Sequence, residues 1–397
     1  MKRIAISLFV ACFHALLVAQ QPVLCGIDVL ARDGAKQLQG KRIGVITNHT
    51  GLARDGRRTI DVLKSLEGVQ LAAIFSPEHG LQGKLDREGI AHGKDEATGL
   101  PIWSLYGETR KPSKAMLNGI DALVFDIQDI GCRFYTYVST MGNCLEAAAE
   151  HGIAFVVLDR PNPIGGKDIA GPLLDKDQES FVGWHRIPLR HGMTAGELMR
   201  MFLGERGIRC EATVVACEGW SRGDRFDRTG LLWTDPSPNM RSLTQALLYP
   251  GIGLLEGTNL SVGRGTDTPF ERIGAPWCDG VKLAAHLRAQ SVKGAAFVPI
   301  RFTPNASKFA DKECQGVQIA ITDWDAFEPV SLGVALACAL RDLHGKDWNR
   351  EKLNWLWKHA ASMEALEQGK DAAAIQELWR KDLDVFRMRQ KPFLIYP

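Results

Sequence analysis

Glu78 lies in Ser76-Pro77-Glu78-His79-Gly80, after a proline that fixes the chain and before a glycine that lets it turn. A carboxyl group held at such a turn suits proton transfer. Glycoside hydrolysis needs an acid to protonate the leaving oxygen and a second group, usually a carboxylate, as nucleophile or base. His79 sits beside Glu78 to tune it. The plainer alternative is that Glu78 caps a following helix while His79 bonds a backbone carbonyl.

Three further polar clusters accompany it: Thr47-Asn48-His49-Thr50-Gly51, Asp126-Ile127-Gln128-Asp129 and Asp159-Arg160-Pro161-Asn162-Pro163. Asp126, directly after an apolar run, is the better ligand contact; Asp129 is spaced to pair with Arg133. Asp159 and Arg160 serve a ligand or form a structural ion pair. Pro161 and Pro163 suggest a rigid loop that would tolerate a cis peptide. Tyr135 and Tyr137 share a face of an extended segment, as a sugar platform or as core. Later in the chain, a Gly-rich stretch at 255–266 carries Glu256, Asn259 and Arg264, and Pro236-Ser237-Pro238-Asn239-Met240 forms a second rigid loop. Glu256 is a second carboxylate if two lobes close, or an acceptor bridging them. Carboxylates, amides, arginines and tyrosines together make a sugar-binding palette.

The elements that must position these groups alternate. Short apolar runs at 41–46, 71–75, 122–125 and 154–158 read as strands, and 58–66, 113–118 and 140–151 as helices. Each strand runs into one of the polar clusters. Continuous apolar strands between helices imply a parallel sheet covered on both faces. The expected fold is therefore α/β, a Rossmann-like doubly wound sheet with a second, smaller α/β lobe. Ligands of such sheets bind beyond the carboxyl ends of the strands. Four polar clusters at one edge therefore carry more weight than any one alone.

A change near residue 180 divides the chain into 21–180 and 181–397, with the site in the cleft between. In the second part 193–203 reads as a helix capped by Thr194 with Glu197 three residues on, and 212–216 as a strand. Residues 233–280 look structureless, a length that usually signals function, and 331–343 and 372–383 read as helices.

Composition narrows the function. The 397 residues carry 48 basic and 46 acidic groups, a net charge of +2 that argues against a nucleic-acid partner. Lys2 and Arg3 followed by an apolar run at 4–19 read as a signal peptide over 1–20, so the mature protein is expected outside the cytoplasm, periplasmic or secreted, with no lasting membrane insertion. Nine cysteines form no C-x-x-C pair and no zinc spacing, and Cys210 and Cys217 could bridge in an oxidising compartment. No G-x-G-x-x-G follows the first strand, and P-loop, G-x-S-x-G and H-E-x-x-H motifs are missing. No cofactor and no metal are expected.

Taken together, ITNHTG at 46–51, FSPEHG at 75–80, SLYG at 104–107, FDIQDIGCRFYTY at 125–137, VVLDRPNPIGG at 156–166, RHGMTAGEL at 190–198, LLYPG at 247–251, LEGTNLSVGRGT at 255–266 and FTPNASKF at 302–309 resemble the NamZ-type exo-β-N-acetylmuramidases. The likeness extends from about Gly26 to Pro397. It implies a Rossmann-like domain with a smaller one, and removal of terminal β-1,4-linked N-acetylmuramic acid (MurNAc) from the non-reducing ends of peptidoglycan fragments. The family's proposed catalytic Glu falls on Glu78. The order of candidates for its partner is Asp126, Asp159, Glu256. The lactyl carboxylate of muramic acid would need a cation, for which Arg133, Arg160 and Arg264 are available. Residues 81–93, beside the proposed acid, depart from the family pattern and bear on substrate preference. A binding protein for cell-wall glycans without catalysis is the rival reading.

Overall fold

The computed structural model describes residues 23–397 except Glu88 and Ser291; the leader expected at 1–20 lies outside them. The first lobe opens with α1 (Gly26–Arg32), β1 (Arg42–Thr47), α2 (Thr59–Ser65) and β2 (Gln70–Ser76). Then come β3 (Gly93–Lys94), β4 (Pro101–Ser104), β5 (Ala122–Asp126), α3 (Tyr137–His151) and β6 (Ala154–Leu158). A ribbon of β7 (Ala170–Leu173) and β8 (Pro188–Arg190) precedes α4 (Ala195–Arg206) and β9 (Ala212–Val215).

Seven strands form one sheet in the order β3-β4-β2-β1-β5-β6-β9. Each neighbouring pair is parallel except β3 with β4. Successive side chains alternate between two apolar layers. Ile43, Val45, Val124 and Val156 pack with α1 and α2 on one face. Ile46, Phe125, Phe155 and Val157 pack with α3 and α4 on the other. This double burial is why the strands read as unbroken apolar runs. The chain winds outward from β1 to β2 and β4, then returns to β5, so the order reverses between β1 and β5.

The second lobe contains α5 (Leu243–Ile252), β10 (Arg272–Ala275), α6 (Gly280–Ala289), β11 (Ala295–Phe302), β12 (Cys314–Ile321), α7 (Pro329–His344) and α8 (Asn354–Trp357). Its three strands form an antiparallel sheet in the order β10-β12-β11. Three short helices finish the chain: α9 (Ala360–Glu367), α10 (Ala372–Glu377) and α11 (Arg380–Gln390). The α5–α7 crossing needs glycine, since a Cβ on Gly251 would lie 1.8 Å from the Pro329 carbonyl.

Several expectations change. Residues 113–118 form turns rather than a helix, and 233–280 contain α5 and β10. The helix expected over 372–383 is broken between α10 and α11. The segment after 180 does not begin the second lobe: β9 pairs in parallel with β6, so the first sheet continues to Val215. Cys210 and Cys217 are both free; their thiols bond the separate carbonyls of Ile153 and Asp159. No peptide bond among the described residues is cis.

The capping box on α4 forms as expected. Thr194 accepts from the Glu197 amide at 3.2 Å, and the Thr194 amide donates back to Glu197 at 3.1 Å. Glu197 also holds Arg222 at 2.6 Å and the Ile395 amide at 2.9 Å, tying the C-terminal tail to the first lobe.

Candidate functional site

At the tip of β2 the chain turns sharply. His79 and Gly80 both have left-handed backbone, φ 68° and 73°, and the Gly80 amide closes the turn on the Pro77 carbonyl at 3.0 Å. Left-handed backbone is costly for His79, so the turn is held from outside. Its imidazole Nδ1–H donates to the Leu85 carbonyl at 2.7 Å, and the Leu85 amide returns a bond to the His79 carbonyl at 3.3 Å. His79 thus pins the loop that follows.

Glu78, half-buried, borders a cavity of about 430 Å³. The first lobe contributes the β2 tip, residues 134–137 at the start of α3 and a tight turn at 180–182. The second lobe contributes Tyr249 of α5, the loop bearing Glu256, Arg264 and Phe270, and residues 355–358 at α8. The Thr136 hydroxyl donates to Glu78 Oε2. Thr136 is also the N-cap of α3, so the carboxylate faces a helix N-terminus that favours negative charge. Tyr135 and Tyr137 meet edge to face at 4.9 Å between centroids. The extended segment on which they were expected to share a face is not formed, since Tyr137 begins α3. Burial pushes both phenols well above their usual range, and the charge of Glu78 adds to this, so both are neutral donors.

Across the cavity, Arg264 Nε donates to Glu256 Oε1 at 2.5 Å, and the Tyr249 hydroxyl lies 3.4 Å from Oε2. Burial works against the Arg264 charge, but Glu256 beside it holds the guanidinium above its ordinary value. Asp86 lies 3.8 Å from the same guanidinium and accepts from the Asn239 amide at 3.0 Å.

Of the expected site residues, the fold brings Glu78, His79, Tyr135, Tyr137, Glu256 and Arg264 to this cavity. The others are used elsewhere. Asp126 is fully buried: Arg160 grips it at 2.5 and 3.1 Å and the Thr59 hydroxyl donates to it. It is the structural ion pair of the sheet edge rather than a ligand contact, and Arg160 is spent with it. Asp159, also fully buried, accepts from the Thr194 and Tyr396 hydroxyls, each at 2.6 Å, and from the Gly196 amide at 2.9 Å. Burial raises its pKa to about 6 against the pull of those bonds.

Arg133 does not pair with Asp129. Its guanidinium donates to four carbonyls, of Pro172 and Ile187 in the first lobe and of Leu356 and Trp357 in the second, at 2.7–3.1 Å. It is a strut between lobes. Asn162 bonds the Met193 carbonyl at 3.0 Å, and Asn259 bonds the Asp347 carbonyl at 2.8 Å and the Asn349 amide at 2.7 Å. Both order loops. Asn48 accepts from Thr50 at 2.6 and 2.9 Å and stitches the β1 tip; its buried amide nitrogen has no partner.

The sequence also left out residues that matter here. Thr136 lies between two tyrosines already singled out, and Tyr249 stands in LLYPG. Arg110, Phe181, Trp355 and Lys358 lie on loops and a one-turn helix with no local signal.

The sequence pattern described as "Exo-beta-N-acetylmuramidase NamZ, N-terminal" matches residues 43–244, and its C-terminal counterpart matches 247–396. The chain belongs to the NamZ family. It is 43% identical over 383 residues to the peptidoglycan β-N-acetylmuramidase NamZ of Bacillus subtilis, covering 95% of this chain and 92% of that one. A crystal structure of a DUF1343 family protein from Bacteroides fragilis superposes with a TM-score of 0.89 at 36% identity, covering 95% of this chain and 99% of that one. A second such protein from the same organism gives 0.78 at 32% identity, covering 94% and 99%. The junction of the two NamZ patterns, at 244–247, falls at the start of α5, after the seven-stranded sheet is complete.

Proposed function

We propose that this chain is an exo-acting glycoside hydrolase that releases terminal β-1,4-linked MurNAc from the non-reducing ends of peptidoglycan fragments, in cell-wall turnover. The observation that carries the reading is the placement of Glu78. It is a carboxyl group at a strand tip, bordering an aromatic-walled cavity between lobes, with one oxygen held by a hydroxyl and the other without a partner among the described residues. The name of the Bacillus subtilis relative supports the substrate class.

Glu78 protonates the oxygen that links the terminal sugar to the next one. Of the three acids considered as its partner, Glu256 is the one at the cavity, where it pairs with Arg264. Glu256 is the candidate base or nucleophile, and the 2-acetamido group of the substrate is its rival. The leader at 1–20 supports export to the periplasm or the medium, where such fragments arise. No helix among the described residues is long and apolar enough to cross a membrane.

The test is incubation with the two disaccharides of opposite order, MurNAc-GlcNAc and GlcNAc-MurNAc, with products identified by mass. Free MurNAc from the first and no cleavage of the second is the expected result. Binding of either without release of sugar would favour the non-catalytic receptor instead.

A further inference from the structure

The reading above leaves one part of the substrate without a partner. Muramic acid differs from glucosamine by a lactyl ether whose carboxylate is the sugar's only charge, and a carboxylate in a partly desolvated site needs a cation. The three arginines that the sequence offered for this are committed elsewhere: Arg133 to four carbonyls, Arg160 to Asp126 and Arg264 to Glu256.

Two other cations border the same cavity, and no carboxylate among the described residues pairs with either. Arg110 is held by ring faces rather than by an acid: its guanidinium carbon lies 4.2 Å from the Phe181 ring centroid and 5.3 Å from that of Tyr106. Stacking fixes the plane of a guanidinium while leaving its N–H edges available for bidentate contact. Lys358 ends α8 with left-handed backbone, φ 48°, where glycine would be the relaxed choice. The backbone around it is fastened on several sides. Arg133 holds the Leu356 and Trp357 carbonyls, the Lys358 amide bonds the Asn354 carbonyl at 2.9 Å, and the Asp175 amide bonds the Lys358 carbonyl at 3.0 Å.

Both cations flank the turn at 180–183, which is closed by paired 3.0 Å bonds between Ser180 and Gly183. Phe181 of that turn underlies Arg110, and a Cβ on Gly183 would lie 3.6 Å from the Lys358 stem. Burial lowers the Lys358 pKa, the nearby Arg133 lowers it further, and the exposed Glu179 opposes both. A bound anion would relieve that cost.

We infer that Arg110 and Lys358 form an anion subsite that takes the lactyl carboxylate of the terminal sugar and so selects muramic acid over glucosamine. The inference rests on the proposed muramidase activity. Arg133, which touches neither substrate nor reacting atoms, acts as the positioning residue that fixes α8 and Lys358 across the cleft.

The test uses two aryl β-N-acetylmuramides, one with the free lactyl carboxylate and one with that group capped as the neutral methylamide. Wild-type kcat/KM should favour the free acid by roughly 10- to 100-fold, as expected for charge-assisted hydrogen bonds. In Arg110→Met and Lys358→Met the preference should shrink, and in the double variant the ratio of the two substrates should approach one. Circular dichroism melting reports whether each variant folds, and the single variants carry the test if the double does not. Unchanged discrimination in the folded variants overturns the subsite. If wild type hydrolyses neither muramide, the muramidase reading fails and the subsite falls with it.

Discussion

The tips of β2 and β5 lie on one sheet edge, each ending in a carboxylate, yet they do opposite work. At β5, Asp126 is sealed, with both oxygens occupied by Arg160 and Thr59. At β2, Glu78 has one hydroxyl on one oxygen and a cavity before it. A saturated buried carboxylate has no capacity left for a substrate. A half-satisfied one at a cavity wall does. The comparison separates the polar residues that build a strand edge from those that can act there.

The largest contrast is between activity and stability at these two positions. Glu78→Gln should lose several orders of magnitude in turnover of an aryl β-N-acetylmuramide while its melting temperature stays within about 2–4 °C of wild type. Asp126→Ala should do the reverse at the level of the fold, costing about 3–5 kcal/mol by leaving Arg160 buried without its partner. Urea unfolding measures this, and a cost below about 1 kcal/mol would show that the pair does not hold the edge.

Asp159 sharpens the same contrast through pH. Folding raises its pKa from 3.8 to about 6 by burial, so the folded state binds the proton more tightly than the unfolded one. Its contribution to stability is fully present below about pH 4 and is lost as pH rises through about 6, some ~3 kcal/mol in all. Unfolding free energies measured across this range should slope less steeply in Asp159→Asn. An identical slope would place the titration elsewhere.

The smallest effect belongs to Thr136. Thr136→Val removes one hydrogen bond to Glu78 and should lower kcat roughly tenfold, about 1.4 kcal/mol, with a displaced pH–rate profile and little change in KM. A change in KM alone would assign Thr136 to substrate binding instead.

The strands were legible because both faces of the sheet are buried: 154–158 coincides with β6, and 41–46, 71–75 and 122–125 differ from β1, β2 and β5 by no more than one residue at either end. The capping box at Thr194 and Glu197 was equally plain, being a local pattern with a local cause. The return of β9 to the first sheet was not, since its partner β6 lies more than fifty residues earlier in the chain. The site divided in the same way. Sequence placed polar residues at the strand tips, but pairs such as Asp126 with Arg160, 34 residues apart, decide which of them remain free. Arg110 and Lys358 acquire meaning only when Phe181 and α8 are folded around the cleft.

The central claim is that Glu78 donates the proton to the leaving oxygen. Its most direct test compares Glu78→Ala on two substrates: a MurNAc-GlcNAc disaccharide, whose leaving group needs that proton, and a 2,4-dinitrophenyl β-N-acetylmuramide, whose leaving group does not. The account predicts that kcat/KM falls by more than roughly a thousandfold on the disaccharide and by about tenfold or less on the dinitrophenyl muramide. Equal losses on both, or wild-type turnover of the disaccharide, would contradict it.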